Sequence, residues 1–249
     1  MINQYRPTNF GGKEQELQQI YTIPVNEAFD EVTEHSELGC PFCRLYRRLQ
    51  NDELDIILGA SMMEPDIRIK TNEEGFCLNH YGMMTRRQRM LGIGLMLESH
   101  LDEVMGKLSP KTLVGKAQSS VQALKKLEGD CYVCKRIEKN LDAMIATAVY
   151  LFESNGEFKD KFKKTPYFCL PHYRQMIEYA SKKMGKKPFA ELYGVAHEIN
   201  EKYIRTLRED VSWFCKKFDY RYDEEPWYNS KTSIQRSIKF LSGEPGYNE

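Results

Sequence analysis

Six of the seven cysteines and two of the five histidines fall into four short pairs. In chain order these are Cys40-Pro41-Phe42-Cys43, Cys77-Leu78-Asn79-His80, Cys131-Tyr132-Val133-Cys134 and Cys169-Leu170-Pro171-His172. A thiolate and a second ligand separated by two residues can turn toward one ion, and two such pairs complete the four-coordinate shell that zinc prefers. The pattern therefore predicts two closed Cys3His sites and two zinc ions, held by Cys40, Cys43, Cys77, His80, Cys131, Cys134, Cys169 and His172. The alternative for this ligand set is an iron–sulfur cluster, since three thiolates and an imidazole can also hold iron. Metal-free dithiol exchange ranks last, because the thioredoxin CxxC belongs in a βαβ setting that this sequence does not offer.

The pairs also report a duplication. From Cys40 to Cys131 is 91 residues and from Cys77 to Cys169 is 92, so one inserted residue relates the copies. Around the second pair the likeness extends beyond the ligands, with FCLNHYGMM (Phe76 to Met84) matching FCLPHYRQM (Phe168 to Met176). This is an internal repeat of roughly 50 residues. Spacing alone leaves the pairing open. The closest arrangement is within each copy, Cys40, Cys43, Cys77 and His80 in one site and Cys131, Cys134, Cys169 and His172 in the other. A swapped arrangement, in which the first CxxC meets the second CxxH, needs only a different helix packing.

The elements that must position these ligands are helical. Ile137, Leu141, Met144, Ile145, Ala148 and Phe152 recur at helical spacing after Cys131, as do Ile93, Leu97, Leu101, Val104 and Leu108 after His80. Each ligand pair is thus placed at a helix N-terminus, where free N–H groups and the helix dipole favour thiolate over thiol. Between the pairs of the first copy, a helix over 41–63 is followed by an expected return loop over 64–75. A short basic helix over 158–164 takes the corresponding place in the second copy. Pro24 reads as opening a helix through Val25, Phe29 and Val32, and Ser109-Pro110 as opening another that Gly129 closes. Pro188 starts the longest element, whose apolar stripe runs from Phe189 to Phe218 with Cys215 at its border as a core residue. The expected fold is all-α, with a first unit over 24–108, a second over 109–222 and a polar, partly disordered tail over 223–249.

Other features carry less chemistry. His35, His100 and His197 lack partners nearby in sequence and read as structural or surface residues. Met83, Met84, Met90, Met96 and Met105 read as core filler. Glu64 to Arg68 occurs only in the first copy; an Asp66 to Arg68 surface pair is its plainer reading and a substrate loop its sharper one. No GxGxxG, GxxxxGK[ST], HExxH or GxSxG motif occurs.

Thirty-six basic and 36 acidic residues cancel, leaving no overall field to attract nucleic acid. The polar N-terminus and the short apolar runs give neither a signal peptide nor a membrane span, so a cytoplasmic location is expected. A reducing compartment also suits metal-bound rather than disulfide-bonded cysteines. CPFC, a long helix, MMEPDIRIKTNEEGFC and LNHY together resemble a bacterial family of unknown function, seen mainly in Firmicutes, that carries CPxC and FCxxH pairs. The resemblance is best over 38–84, with a looser echo over 129–176, and implies a bacterial cytoplasmic origin. The favoured role is non-enzymatic: a zinc protein whose long C-terminal helix or Tyr-rich tail meets a protein partner.

Overall fold

The computed structural model describes residues 12–108 and 116–243, and these form eleven α-helices joined by short turns and 3₁₀ segments. They are α1 (Gly12–Glu34), α2 (Pro41–Ile57), α3 (Pro65–Glu74), α4 (Leu78–Arg86), α5 (Met90–Leu108), α6 (Lys116–Gly129), α7 (Tyr132–Ser154), α8 (Gly156–Lys163), α9 (Leu170–Lys183), α10 (Lys186–Lys216) and α11 (Ser233–Ser242). No strand occurs among the described residues. None of these helices is long and apolar enough to cross a membrane. The expected start at Ser109-Pro110 lies outside the described residues.

The described chain divides into two compact units, one of residues 12–47 with 141–243 and the other of 48–108 with 116–140. The division falls inside α2 and inside α7. In the first unit the core is aromatic. Phe29 of α1 meets Phe158 and Phe162 of α8 at ring-centroid distances of 4.8 and 5.9 Å, and Phe162 meets Phe168 at 4.9 Å. Such pairs add about 0.5–1.5 kcal/mol each beyond the apolar area they bury. In the second unit α3 packs on α5, where Arg68 Nη2 donates to Leu95 O (2.7 Å) and Ser99 Oγ (2.6 Å). Arg68 thus ties one helix to another.

Several expectations are corrected here. The return loop over 64–75 is a helix, because Pro65 occupies its first turn, Asp66 favours the positive N-terminal end, and Gly75 ends it at φ +62°. Pro24 lies within α1. It removes one backbone donor, while Asn26 Nδ2 donates to the Thr22 carbonyl in the same turn at 2.9 Å. Cys215 is exposed, since the buried stripe of α10 ends at Leu207. Met84 and Met96 are core residues, whereas Met90 and Met105 are exposed. Within 223–249 the apolar run Ile234 to Leu241, which reads in sequence as a short helix, lies in α11, anchored by buried Phe240 against Tyr167 and Tyr203 at 5.8 and 5.6 Å.

Candidate metal centres

The structure gathers the eight expected ligands into two groups that could each hold an ion, Cys40, Cys43, Cys169 and His172 in the first unit and Cys77, His80, Cys131 and Cys134 in the second. This is the swapped arrangement: each CxxC meets the CxxH of the other copy. Of the two arrangements that spacing leaves open, the structure adopts this one and not the within-copy pairing. Within each group every ligand atom lies within 4.8 Å of every other.

In the first centre, Cys40 and Cys43 flank the start of α2 and Cys169 is the residue before α9, with His172 in its first turn. Two devices hold these starts in place. Gly39, at φ +78°, brings the chain so close to Tyr167 that a Cβ there would sit 2.4 Å from the Tyr167 hydroxyl. Buried Asn200 of α10 clamps the backbone before Cys169, accepting from Phe168 N–H at 2.9 Å and donating to Phe168 O at 3.0 Å. Gly243, buried at φ +77°, closes over the sulfurs, its Cβ direction pointing 3.5 Å from Cys169 Sγ. Cys43 Sγ is 3.5 Å from Cys169 Sγ, and His172 Nδ1 is 3.8, 3.5 and 3.1 Å from the sulfurs of Cys40, Cys43 and Cys169.

The second centre is built the same way. Cys77 precedes α4, His80 lies in its first turn, and Cys131 and Cys134 flank the start of α7. The Gly75 carbonyl accepts from Tyr132 N–H at 3.0 Å, which fastens the approach to Cys77 against the start of α7. His80 Nδ1 lies 3.2, 3.3 and 3.4 Å from the sulfurs of Cys77, Cys131 and Cys134, and Cys77 Sγ is 3.9 Å from Cys134 Sγ. All four ligands of the first centre are buried, whereas Cys77 and Cys134 of the second are partly exposed.

These distances suit a single ion. Zinc–sulfur and zinc–nitrogen bonds of about 2.3 and 2.05 Å in a tetrahedron give edges of about 3.8 Å between sulfurs and about 3.6 Å from sulfur to nitrogen. The observed separations match those edges within about half an ångström. Electrostatics point the same way. Burial opposes ionisation of Cys40, yet hydrogen bonds with Cys169, Cys43 and His172 together hold its thiol well below the usual range. Hydrogen bonding to Cys169 and Cys40, together with burial, pushes Cys43 up. In the second centre the hydrogen bond with Cys134 is the largest influence bringing Cys131 down to about 3, while the same bond raises Cys134. Three sulfurs this close resist sharing more than one negative charge, and a bound cation removes that resistance.

The ligand motifs do not reveal Asn200, nor a polar pair on the otherwise apolar face of α2. Gln50 and Glu53 are 1 % and 4 % exposed. Gln50 Nε2 lies 3.0 Å from His80 Nε2, and Glu53 Oε1 accepts from Arg136 Nε at 2.9 Å. Polar residues at core positions of a helix were the available signal. The remaining candidates are accounted for locally. His100 lies 2.9 Å from the Asn72 carbonyl through Nδ1, His197 stacks on Tyr193, and His35 lies 3.6 Å from Glu37. Lys159 and Lys161 of the basic run pair with Glu191 and Asp30.

A family model described as a family of unknown function (DUF6062) matches residues 17–247. No curated protein and no solved structure matches the chain.

Proposed function

The chain belongs to that family of unknown function, and from this premise we propose that it is a non-enzymatic zinc protein whose two closed Cys3His sites staple a helical scaffold for a protein partner. The observation that carries the reading is the pair of four-ligand groups with the edge lengths of one tetrahedron each. A two-iron cluster spreads its terminal ligands over two centres, whereas each group here is compact around one point. Three thiolates and an imidazole fill the coordination shell and leave no position for substrate, which suits a structural site. Zinc supplies the positive charge and the folding free energy; the helix starts supply the ligands. A cytoplasmic location keeps the thiols reduced.

The partner surface is assigned to the far end of α10. There Phe218, Tyr220 and Tyr228 are 74 %, 82 % and 69 % exposed, and large exposed aromatics are typical anchors of protein interfaces. Lys217 braces the turn beside them, its Nζ donating to Asp223 O at 2.9 Å and to Glu225 O at 2.7 Å.

The test is to purify the protein without oxygen, determine metal per chain and record the visible spectrum. A colourless protein with two zinc ions is expected. A brown protein containing iron and sulfide, or one with no metal and free thiols, overturns the proposal.

A further inference from the structure

Resting on the zinc reading, we infer that Gln50 is a positioning residue for the second centre, accepting a hydrogen bond from His80 Nε2–H through its amide oxygen and so fixing the tautomer that leaves Nδ1 free for the metal.

The argument starts from proton bookkeeping. A neutral imidazole carries one N–H. Nδ1 of His80 faces three sulfurs at 3.2–3.4 Å, so metal binding there requires the proton on Nε2. Nε2 then needs an acceptor, and buried Gln50 is at 3.0 Å. If the amide NH2 faced the ring, Nε2 would have to accept, the proton would move to Nδ1, and the metal position would be blocked. With the amide turned by half a rotation, its oxygen meets Nε2–H instead.

That orientation resolves a second observation. With nitrogen toward the ring, Gln50 Oε1 is buried without a partner, a costly state for a polar atom. Turning the amide gives the oxygen its donor. It also moves the NH2 to the other side of the side chain, on the helix face where Glu53, three residues on, holds the buried oxygen Oε2 without a partner. Glu53 is meanwhile fixed through its other oxygen by Arg136. Outer partners of this kind orient a metal-bound histidine and raise its basicity. The duplication does not repeat the device: the residue 91 positions after Gln50 is Leu141.

Two measurements on the zinc-loaded chain test this. Nitrogen-15 NMR of the histidine side chains is expected to show His80 protonated on Nε2, with the proton protected from exchange and close to the Gln50 side chain. Chelator competition on Gln50→Leu is expected to show one of the two zinc ions weakened about 10–100-fold and the other unchanged. His80 protonated on Nδ1, or a folded Gln50→Leu protein that binds both ions with wild-type affinity, overturns the assignment while leaving the zinc reading intact. Wild-type protein without zinc overturns the parent reading and this assignment with it. Should Gln50→Leu not fold, the wild-type NMR result decides.

Discussion

Cys43 Sγ lies 3.5 Å from Cys169 Sγ, although 126 residues separate them and Cys169 belongs to the other copy of the repeat. Serine variants made in pairs read out this relationship. Cys43→Ser with Cys169→Ser removes two ligands of one centre, so one zinc per chain is expected to remain. Cys43→Ser with Cys77→Ser damages both centres and is expected to leave none tightly bound. Metal analysis of the two double variants checks the pairing, and the reverse outcome restores the within-copy arrangement.

Loss of either histidine ligand should be felt in stability as well as in metal content, because metal binding is coupled to folding. His80→Ala and His172→Ala are each expected to loosen one zinc ion. Each should also lower the melting temperature by about 5 °C or more, corresponding to roughly 2 kcal/mol for a chain of this size. Calorimetry with parallel metal analysis measures both.

The centres differ in access, all four ligands being buried in one and Cys77 and Cys134 partly exposed in the other. A colorimetric chelator in excess is therefore expected to withdraw zinc in two phases. The faster phase should belong to the second centre and disappear in Cys131→Ser. A single phase carrying both equivalents, or a fast phase that survives Cys131→Ser, contradicts this.

Gly39 is required twice over, by its left-handed backbone and by its approach to Tyr167. Gly39→Ala is expected to cost about 1–3 kcal/mol. Adding Tyr167→Phe removes the nearest atom, the hydroxyl at 2.4 Å, but leaves the ring carbon at 2.8 Å. Only part of the loss should be recovered, as denaturant unfolding of the single and double variants would show.

The grouped Cys and His residues, the duplication and the helical class were legible in sequence, because CxxC and CxxH at helix starts are local signals carried by a few adjacent residues. The longest helix was legible for the same reason, its apolar stripe recurring turn after turn. Pairing between the copies was not. Two CxxC and two CxxH pairs offer the same local geometry in either combination, and the choice rests on which helices pack together, as with Asn200 of α10 clamping Phe168. The helix over 65–74 is not legible in sequence because proline and glycine mark helix ends as readily as loops, and here Pro65 opens α3 and Gly75 closes it. Gln50 is silent in sequence because a polar residue among the apolar positions of α2 acquires meaning only with His80 beside it.

The swapped pairing also imposes an order of assembly. Along the chain the clasp joining Cys77 to Cys134 spans 57 residues and sits wholly inside the one joining Cys43 to Cys169, which spans 126. As the chain leaves the ribosome, the inner clasp has all its ligands once Cys134 has emerged, while the outer must wait for His172. Closing the inner loop first shortens the outer one to roughly 70 effective residues and lowers its closure cost by about 0.5 kcal/mol. Metal taken up during synthesis is therefore expected to fill the inner group first, and emergence of the first turn of α9, which carries His172, completes the outer one.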